Sequence, residues 1–249
     1  MRQFGLIGYP LSHSFSKGYF AEKFSVQNIT NAQYDNFPIP SINDFLNLWE
    51  MHPTLEGLNI TIPYKKEVIP FLDIISPEVQ AIQACNCIRK VGASLIGYNT
   101  DVVGFEKSLL PYLKPHHTAA LILGTGGAAA AVKWVFDKLN IAYKSVSRSG
   151  LQGTISYESL TSKMLQEHTL VINTSPIGMY PNIDKAPSIP YEFINETHHL
   201  FDLIYNPAET RFLTEGLRQG ATVQNGLEML HIQAEESWRI WNATAAAHL

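Results

Sequence analysis

The sequence predicts an α/β chain in two parts, the second of them a doubly wound parallel sheet. Three observations carry this. Short apolar runs alternate with helix-like segments from Phe4 to Trp241. One run, Thr118 to Gly124 (TAALILG), is continuous, as expected of a strand buried on both faces. The turn leaving it reads Gly124-Thr125-Gly126-Gly127-Ala128-Ala129 and leads into another helical segment.

The elements follow in order. Phe4 to Gly8 is a strand, broken at Tyr9-Pro10. Phe15, Tyr19, Phe20 and Phe24 place a helix over 15–24. Gln33 to Phe37 is a second strand, stopped by Pro38 and Pro40. Ser41 caps a helix through Met51, with Asp44 in the capping-box position. Gly57 to Thr61 is a third strand, and Pro63 opens a helix through Ile69. Ala84 to Val91 and Ser94 to Tyr98 form a hairpin about Gly92, and Asp101 to Leu110 is a helix stopped by Pro111 and Pro115. After the glycine turn a helix runs through Leu139. Strands recur at Ala142 to Ser147, Leu170 to Asn173, Leu200 to Tyr205 and Ala221 to Val223. Gly226 to Trp241 is one amphipathic helix.

Composition narrows the function. The chain has 249 residues, 45% hydrophobic and 16% charged, a globular balance. Eighteen basic against 22 acidic residues give a net charge of −4, a poor footprint for nucleic acid. No run approaches the ~20 apolar residues of a membrane span, and no signal peptide is visible. Cys85 and Cys87 are the only cysteines; one residue apart, they are badly placed to bridge. Two reduced thiols fit a cytoplasmic protein. His116-His117 and His198-His199 read as exposed loop residues, and no metal-ligand spacing occurs.

Gly124-x-Gly126-x-x-Ala129 fits the dinucleotide fingerprint, in the strand–turn–helix context that the pattern requires. Gly124 permits the tight turn. Gly126 lets backbone approach a pyrophosphate, and the helix N-terminus offers unpaired N–H groups. The next strand ends Ser145-Val146-Ser147-Arg148-Ser149, without the carboxylate that binds the ribose hydroxyls of NAD. Arg148, 24 residues after Gly124, can fork onto a 2′-phosphate, with Ser147 beside it. This favours NADP.

In the first half, polar residues collect where strands end. Ser14 and Ser16 follow Pro10, Asn59 and Thr61 share one strand face, and Lys65 lies in the next helix's first turn. Asn86 interrupts a strand, and Asn99-Thr100-Asp101 closes the hairpin. Each can be a local cap or turn residue. Together they describe a pocket for a hydroxylated small molecule with one Lys/Asp pair, which suits ketone reduction.

These residues fall into recognisable blocks. Gly8-x-Pro10-x-x-His13-Ser14-x-Ser16, Asn59-Ile60-Thr61-Ile62-Pro63-x-Lys65, Gly97-x-Asn99-Thr100-Asp101-x-x-Gly104 and Gly226-x-x-Met229-Leu230-x-x-Gln233 resemble signature blocks of the shikimate dehydrogenase family. Gly124-Thr125-Gly126-Gly127-Ala128 and Asn173-Thr174-Ser175-Pro176-Ile177-Gly178-Met179 resemble its nucleotide-domain blocks. The resemblance runs in order over nearly the whole chain. It implies NADPH-dependent reduction of 3-dehydroshikimate to shikimate in aromatic amino-acid biosynthesis, with Lys65 and Asp101 as the catalytic pair. Ser14, Ser16, Asn59, Thr61, Asn86, Tyr205 and Gln233 would hold substrate. Gly124, Gly126, Gly127, Ala128, Ser147, Arg148, Thr174, Gly226 and Met229 would hold NADP(H), and no metal is implied.

The implied architecture is a substrate domain over 1–100 and a Rossmann-like NADP domain over 101–225. The C-terminal helix, 226–249, returns to the first domain. A monomer or homodimer in the cytoplasm is expected. Two positions depart from the family pattern: Cys87 stands where a threonine is usual, and Ser147 where an asparagine is usual, with no second basic residue after Arg148. A quinate-using or NAD-using relative and a non-catalytic sensing module are the competing readings.

Overall fold

The structure, a computed structural model, describes residues 1–11, 15–151 and 153–244. The chain divides into two compact units, 1–100 with 233–249, and 101–232.

The first unit opens β1 (Arg2–Gly8), α1 (Phe15–Val26), β2 (Ala32–Pro38), α2 (Phe45–Met51), β3 (Leu55–Ile60) and β4 (Ile74–Ile75). It continues with α3 (Pro77–Ile82), β5 (Cys87–Val91) and β6 (Ser94–Tyr98). Its six strands form one mixed sheet in the order β2-β1-β3-β5-β6-β4. β1 runs parallel to β2 and β3, whereas β5 is antiparallel to both β3 and β6. Gly92 turns the β5–β6 hairpin at φ 61°.

The second unit holds α4 (Thr100–Leu109), which begins at the boundary, then β7 (Ala119–Leu123), α5 (Gly127–Leu139), β8 (Ala142–Ser147) and β9 (Ile155–Ser156). α6 (Ser162–Glu167), β10 (Leu170–Asn173), β11 (His199–Asp202), α7 (Arg211–Arg218), β12 (Thr222–Gln224) and α8 (Leu227–Asn242) complete the chain. Its sheet, β12-β11-β10-β7-β8-β9, is parallel throughout. The chain winds outward from β7 to β9, then returns to the other side of β7 with β10. That reversal is the switch point of a Rossmann-like sheet, where ligands sit beyond the strands' carboxyl ends. Buried Leu121, Leu123, Val171 and Leu200 explain the continuous apolar runs.

α8 changes units at Gln233. Its later turns are tied into the first unit. Lys23, buried on α1, reaches both carboxylate oxygens of Glu235 at 2.8 Å. The Trp241 indole stacks on Phe4 at 4.8 Å and donates to Ile88 O at 2.9 Å.

Several local expectations are corrected. Residues 62–68 form successive turns, not a helix from Pro63; a short 3-10 segment follows at Ile69–Phe71. The helix expected after Ser41 is split into a 3-10 turn and α2. Ser41 Oγ accepts from Asn43 N, and Asp44 makes no capping bond. Ser16 lies in the first turn of α1 rather than on extended chain. Tyr205 lies beyond the end of β11. The edge strands β4 and β9, two residues each, are too short for a period-2 signal. Among the described residues, no helix is long and apolar enough to cross a membrane.

Candidate active site

In the second unit, the carboxyl ends of β7, β8 and β10 surround a cleft of about 750 Å³. Gly124 leaves β7 at φ 124°, a region hostile to other L-residues. A Cβ there would also lie 2.6 Å from Thr174 Oγ1, so the two switch-point loops meet through this glycine. Thr174 is held by two bonds to Leu123 O, from its amide and its hydroxyl, each 3.0 Å. Gly126 caps α5 without a side-chain hydrogen bond, and a Cβ on Gly126 or Gly127 would meet nothing within 4 Å. Open space therefore faces the helix's positive end, beside partly exposed Ala128. Arg148 lines the same cleft and is exposed. These residues fit the pyrophosphate and 2′-phosphate of NADP.

Ser147 lines the same cleft. Its hydroxyl shares a hydrogen with Thr154 Oγ1 at 2.6 Å and accepts from Gly150 N at 3.1 Å, closing the loop behind Arg148. Tyr157 lines the cleft on the far side, brought there because β9 pairs with β8. Nothing in its sequence surroundings marks it. Gly226 is buried against the loop leaving β11; a Cβ would collide with the Leu203 backbone. Met229 is buried on α8, and Tyr205 is 41% exposed.

In the first unit, the polar residues form one connected network. Tyr34 donates to Asn59 Oδ1 at 3.0 Å and is hydrogen-bonded to Ser16. Asn59 Nδ2 donates to Ser237 Oγ at 2.8 Å and to Asn86 O at 3.3 Å. Ser237 in turn donates to the Gln233 carbonyl at 2.9 Å. Asn86 is buried, and its Oδ1 accepts from Thr100 N at 2.7 Å and Thr100 Oγ1 at 3.2 Å. Thr61 follows β3, held by its amide to Ile7 O at 2.9 Å. Lys65 is partly buried on the turn after Pro63, and its carbonyl accepts from Cys85 N at 2.7 Å. That bond sets the turn beside the Cys85–Cys87 segment. Ser14 lies outside the described residues. Asp101, the second residue of α4 and almost buried, belongs to the second unit.

Burial pushes the Cys85 thiol up to about 12 and the Cys87 thiol up as well, so both are protonated near neutral pH. Both are free thiols. Cys87 packs into the aromatic core with Phe4, Phe20 and Trp241 and is hydrogen-bonded to Ser237.

The histidine pairs correct the reading as exposed loops. His117, His198 and His199 are buried; among the four only His116 is exposed. They lie near the amino ends of β7 and β11, the sheet edge opposite the cleft. His116 and His117 both reach Thr197 O, His198 reaches Leu165 O, and His199 pairs with Thr222 Oγ1 at 2.9 Å. Burial lowers His117 and His198 and takes His199 down to about 4, so it is held neutral. Among the described residues no group of three or more His, Cys, Asp or Glu could hold a metal ion.

Asp202 was not singled out from sequence. It is fully buried at the end of β11, and desolvation raises its carboxyl to about 6. Its signal was there: one acid ending the apolar run Leu200-Phe201.

A family model described as the shikimate dehydrogenase substrate binding domain matches residues 6–88. The shikimate dehydrogenase (NADP(+)) of Caldicellulosiruptor saccharolyticus is 33% identical over 97% of this chain and 92% of its own. That of Clostridium beijerinckii is 35% identical over 97% and 92%. The crystal structure of the Thermus thermophilus shikimate 5-dehydrogenase with NADP(H) and shikimate superposes with a TM-score of 0.85, at 29% identity, covering 97% of this chain and 94% of that one. With relatives this similar over almost its full length, the chain belongs to the shikimate dehydrogenase family of NADP-dependent oxidoreductases.

Proposed function

We propose that the protein catalyses the reversible reduction of 3-dehydroshikimate to shikimate with NADPH, a cytoplasmic step of aromatic amino-acid biosynthesis. One observation carries the cofactor half: Arg148, and no carboxylate, lines the cleft at the end of β8 beside the open N-terminus of α5. The 101–232 unit then binds the dinucleotide through Gly124, Gly126, Gly127, Ala128, Arg148 and Thr174. Ser147 shapes the loop, while Gly226 and Met229 support the nicotinamide side. When bound, NADPH supplies the hydride that reduces the ketone carbon.

The substrate half rests on the first unit's neutral network. Ser14, Ser16, Asn59, Thr61 and Asn86, with Tyr205 and Gln233, hold the carboxylate and hydroxyls of the substrate. Lys65 gives its proton to the carbonyl oxygen as that oxygen becomes an alcohol, and takes it back in the reverse direction. Asp101 is the second member of this proton-transfer pair. Positioned proton transfer of this kind contributes about 10²–10⁴ in rate.

The test is absorbance at the reduced-nicotinamide band with purified protein, pairing shikimate or quinate with NADP⁺ or NAD⁺. Rapid reduction of NADP⁺ by shikimate alone is expected. Comparable rates with quinate or NAD⁺ would place the protein in a broader branch. NADPH binding with no turnover for any pair would instead favour a sensing role. The expected state in solution, monomer or homodimer, is read by light scattering.

A further inference from the structure

The carboxylate of Asp202 is an expensive feature. It is fully buried at the end of β11, where an apolar side chain would be accommodated without desolvating a charge. Three donors converge on it. Asn173 Nδ2, at the end of neighbouring β10, reaches Oδ1 at 3.0 Å, and Ile204 N reaches the same oxygen at 3.1 Å. Thr210 Oγ1, capping α7, reaches Oδ2 at 2.6 Å. A carboxylate accepts only, so it can satisfy all three at once; an amide would turn donors toward one of them.

The consequence is felt at Asn173. With Nδ2 drawn to the carboxylate, its Oδ1 faces the other way and accepts from Ser175 N at 3.1 Å and Ser175 Oγ at 2.7 Å. Ser175 Oγ then accepts from Ile177 N at 3.4 Å, and Asn173 Nδ2 also donates to Ile177 O at 3.3 Å. Residues 174–177 are the wall of the nucleotide cleft contributed by β10. On the other side, the Ile204 amide leads directly into Tyr205, and Leu203 N is bonded to Asn173 O at 3.0 Å.

We infer that Asp202 is a positioning residue that sets two loops from one buried carboxylate: residues 174–177 on the NADP cleft, through Asn173, and the segment bearing Tyr205, through the Ile204 amide. This rests on the function proposed above, and it adds a residue that touches neither ligand.

The test is a double-mutant cycle on the full chain. NADPH affinity is read from nicotinamide fluorescence, shikimate KM from turnover, and folding from thermal melts. Asp202→Asn should weaken NADPH binding about tenfold, the scale of a lost charge-assisted hydrogen bond. It should also raise shikimate KM. Ser175→Ala removes both bonds of the Ser175 hydroxyl, the one to Asn173 Oδ1 and the one from Ile177 N. It should weaken NADPH binding about threefold, the scale of one neutral hydrogen bond, and leave shikimate KM and the melt unchanged. The double variant should bind NADPH no more than about twofold worse than Asp202→Asn, because both act along one chain of bonds. Multiplying losses, or wild-type NADPH affinity in Asp202→Asn, would overturn the inference. If Asp202→Asn does not fold, Ser175→Ala decides, and unchanged NADPH affinity there overturns it. A wild-type protein that binds NADPH but does not oxidise shikimate would defeat the proposed function, while the binding cycle would still judge Asp202.

Discussion

The two units place polar groups in opposite ways. In the first, site side chains are already committed to one another: Asn59 bonds Tyr34, Ser237 and Asn86, and Asn86 holds Thr100. In the second, the cleft rim has open space at Gly126 and Gly127 and an exposed Arg148, while Thr174 and Ser147 are tied to nearby backbone. A site made of interlocked side chains is rigid before substrate arrives, but each residue also carries stability. A rim made of a glycine turn, a helix end and one exposed arginine leaves that arginine free to tune selectivity. Substitutions in the first unit should therefore mix effects on function and folding, and those on the cleft rim should separate them.

Four measurements sharpen or break that contrast. Lys65→Ala should have the largest effect, lowering kcat by about 10²–10⁴ while NADPH affinity and shikimate KM hardly move. A kcat within about threefold of wild type, far below that range, would remove Lys65 from proton transfer. Asn86→Ala should cost about 1–3 kcal/mol in urea unfolding, because the buried Thr100 amide loses its acceptor. Wild-type stability would show the network to be dispensable. Arg148→Ala should weaken NADPH binding about tenfold with NADH affinity and melting unchanged. Equal losses for both cofactors would end its 2′-phosphate role.

The smallest effect concerns the sheet edge opposite the cleft. His199 is lowered from 6.5 to about 4 in the fold, so the unfolded chain takes the proton first. Its contribution to stability is whole above 6.5 and is lost as the pH falls from there toward 4. His117 and His198, also lowered, act in the same direction. Asp202 opposes them: with its carboxyl raised to about 6, the folded protein takes that proton first and gains stability as the pH falls through that value. His199→Gln should make the stability change between about pH 7.5 and 5.5 smaller by about 1 kcal/mol. An unchanged profile in urea titrations would mean that His199 does not titrate on unfolding.

Much of the architecture was legible because it is written in local patterns. The apolar run ending at Leu123, the glycine turn and the start of α5 need only neighbouring residues, as do Gly92 and the hairpin around it. Leu170–Asn173 was read with its observed bounds, since a strand buried on both faces has no alternative period to obey. Residues 62–68 depart from the helix expected because Pro63 suits a turn equally well: Tyr64 N and Ile69 N bond the carbonyls three residues back, and the Lys65 carbonyl goes to Cys85 N. The histidine pairs were misread because adjacency says nothing about burial. Backbone carbonyls from other segments satisfy these rings inside.

Local patterns in the chain therefore carry most of the strands and helices in order, the glycine turn after β7, the basic residue after β8, and the family blocks. Each depends on a short stretch of chain and a fixed period. Which polar groups find one another is settled by the folded chain alone. Asn59 meets Ser237 across 178 positions, and Asn173 meets Asp202 across 29. A buried donor must find an acceptor wherever the fold brings one, and no local period records that partner.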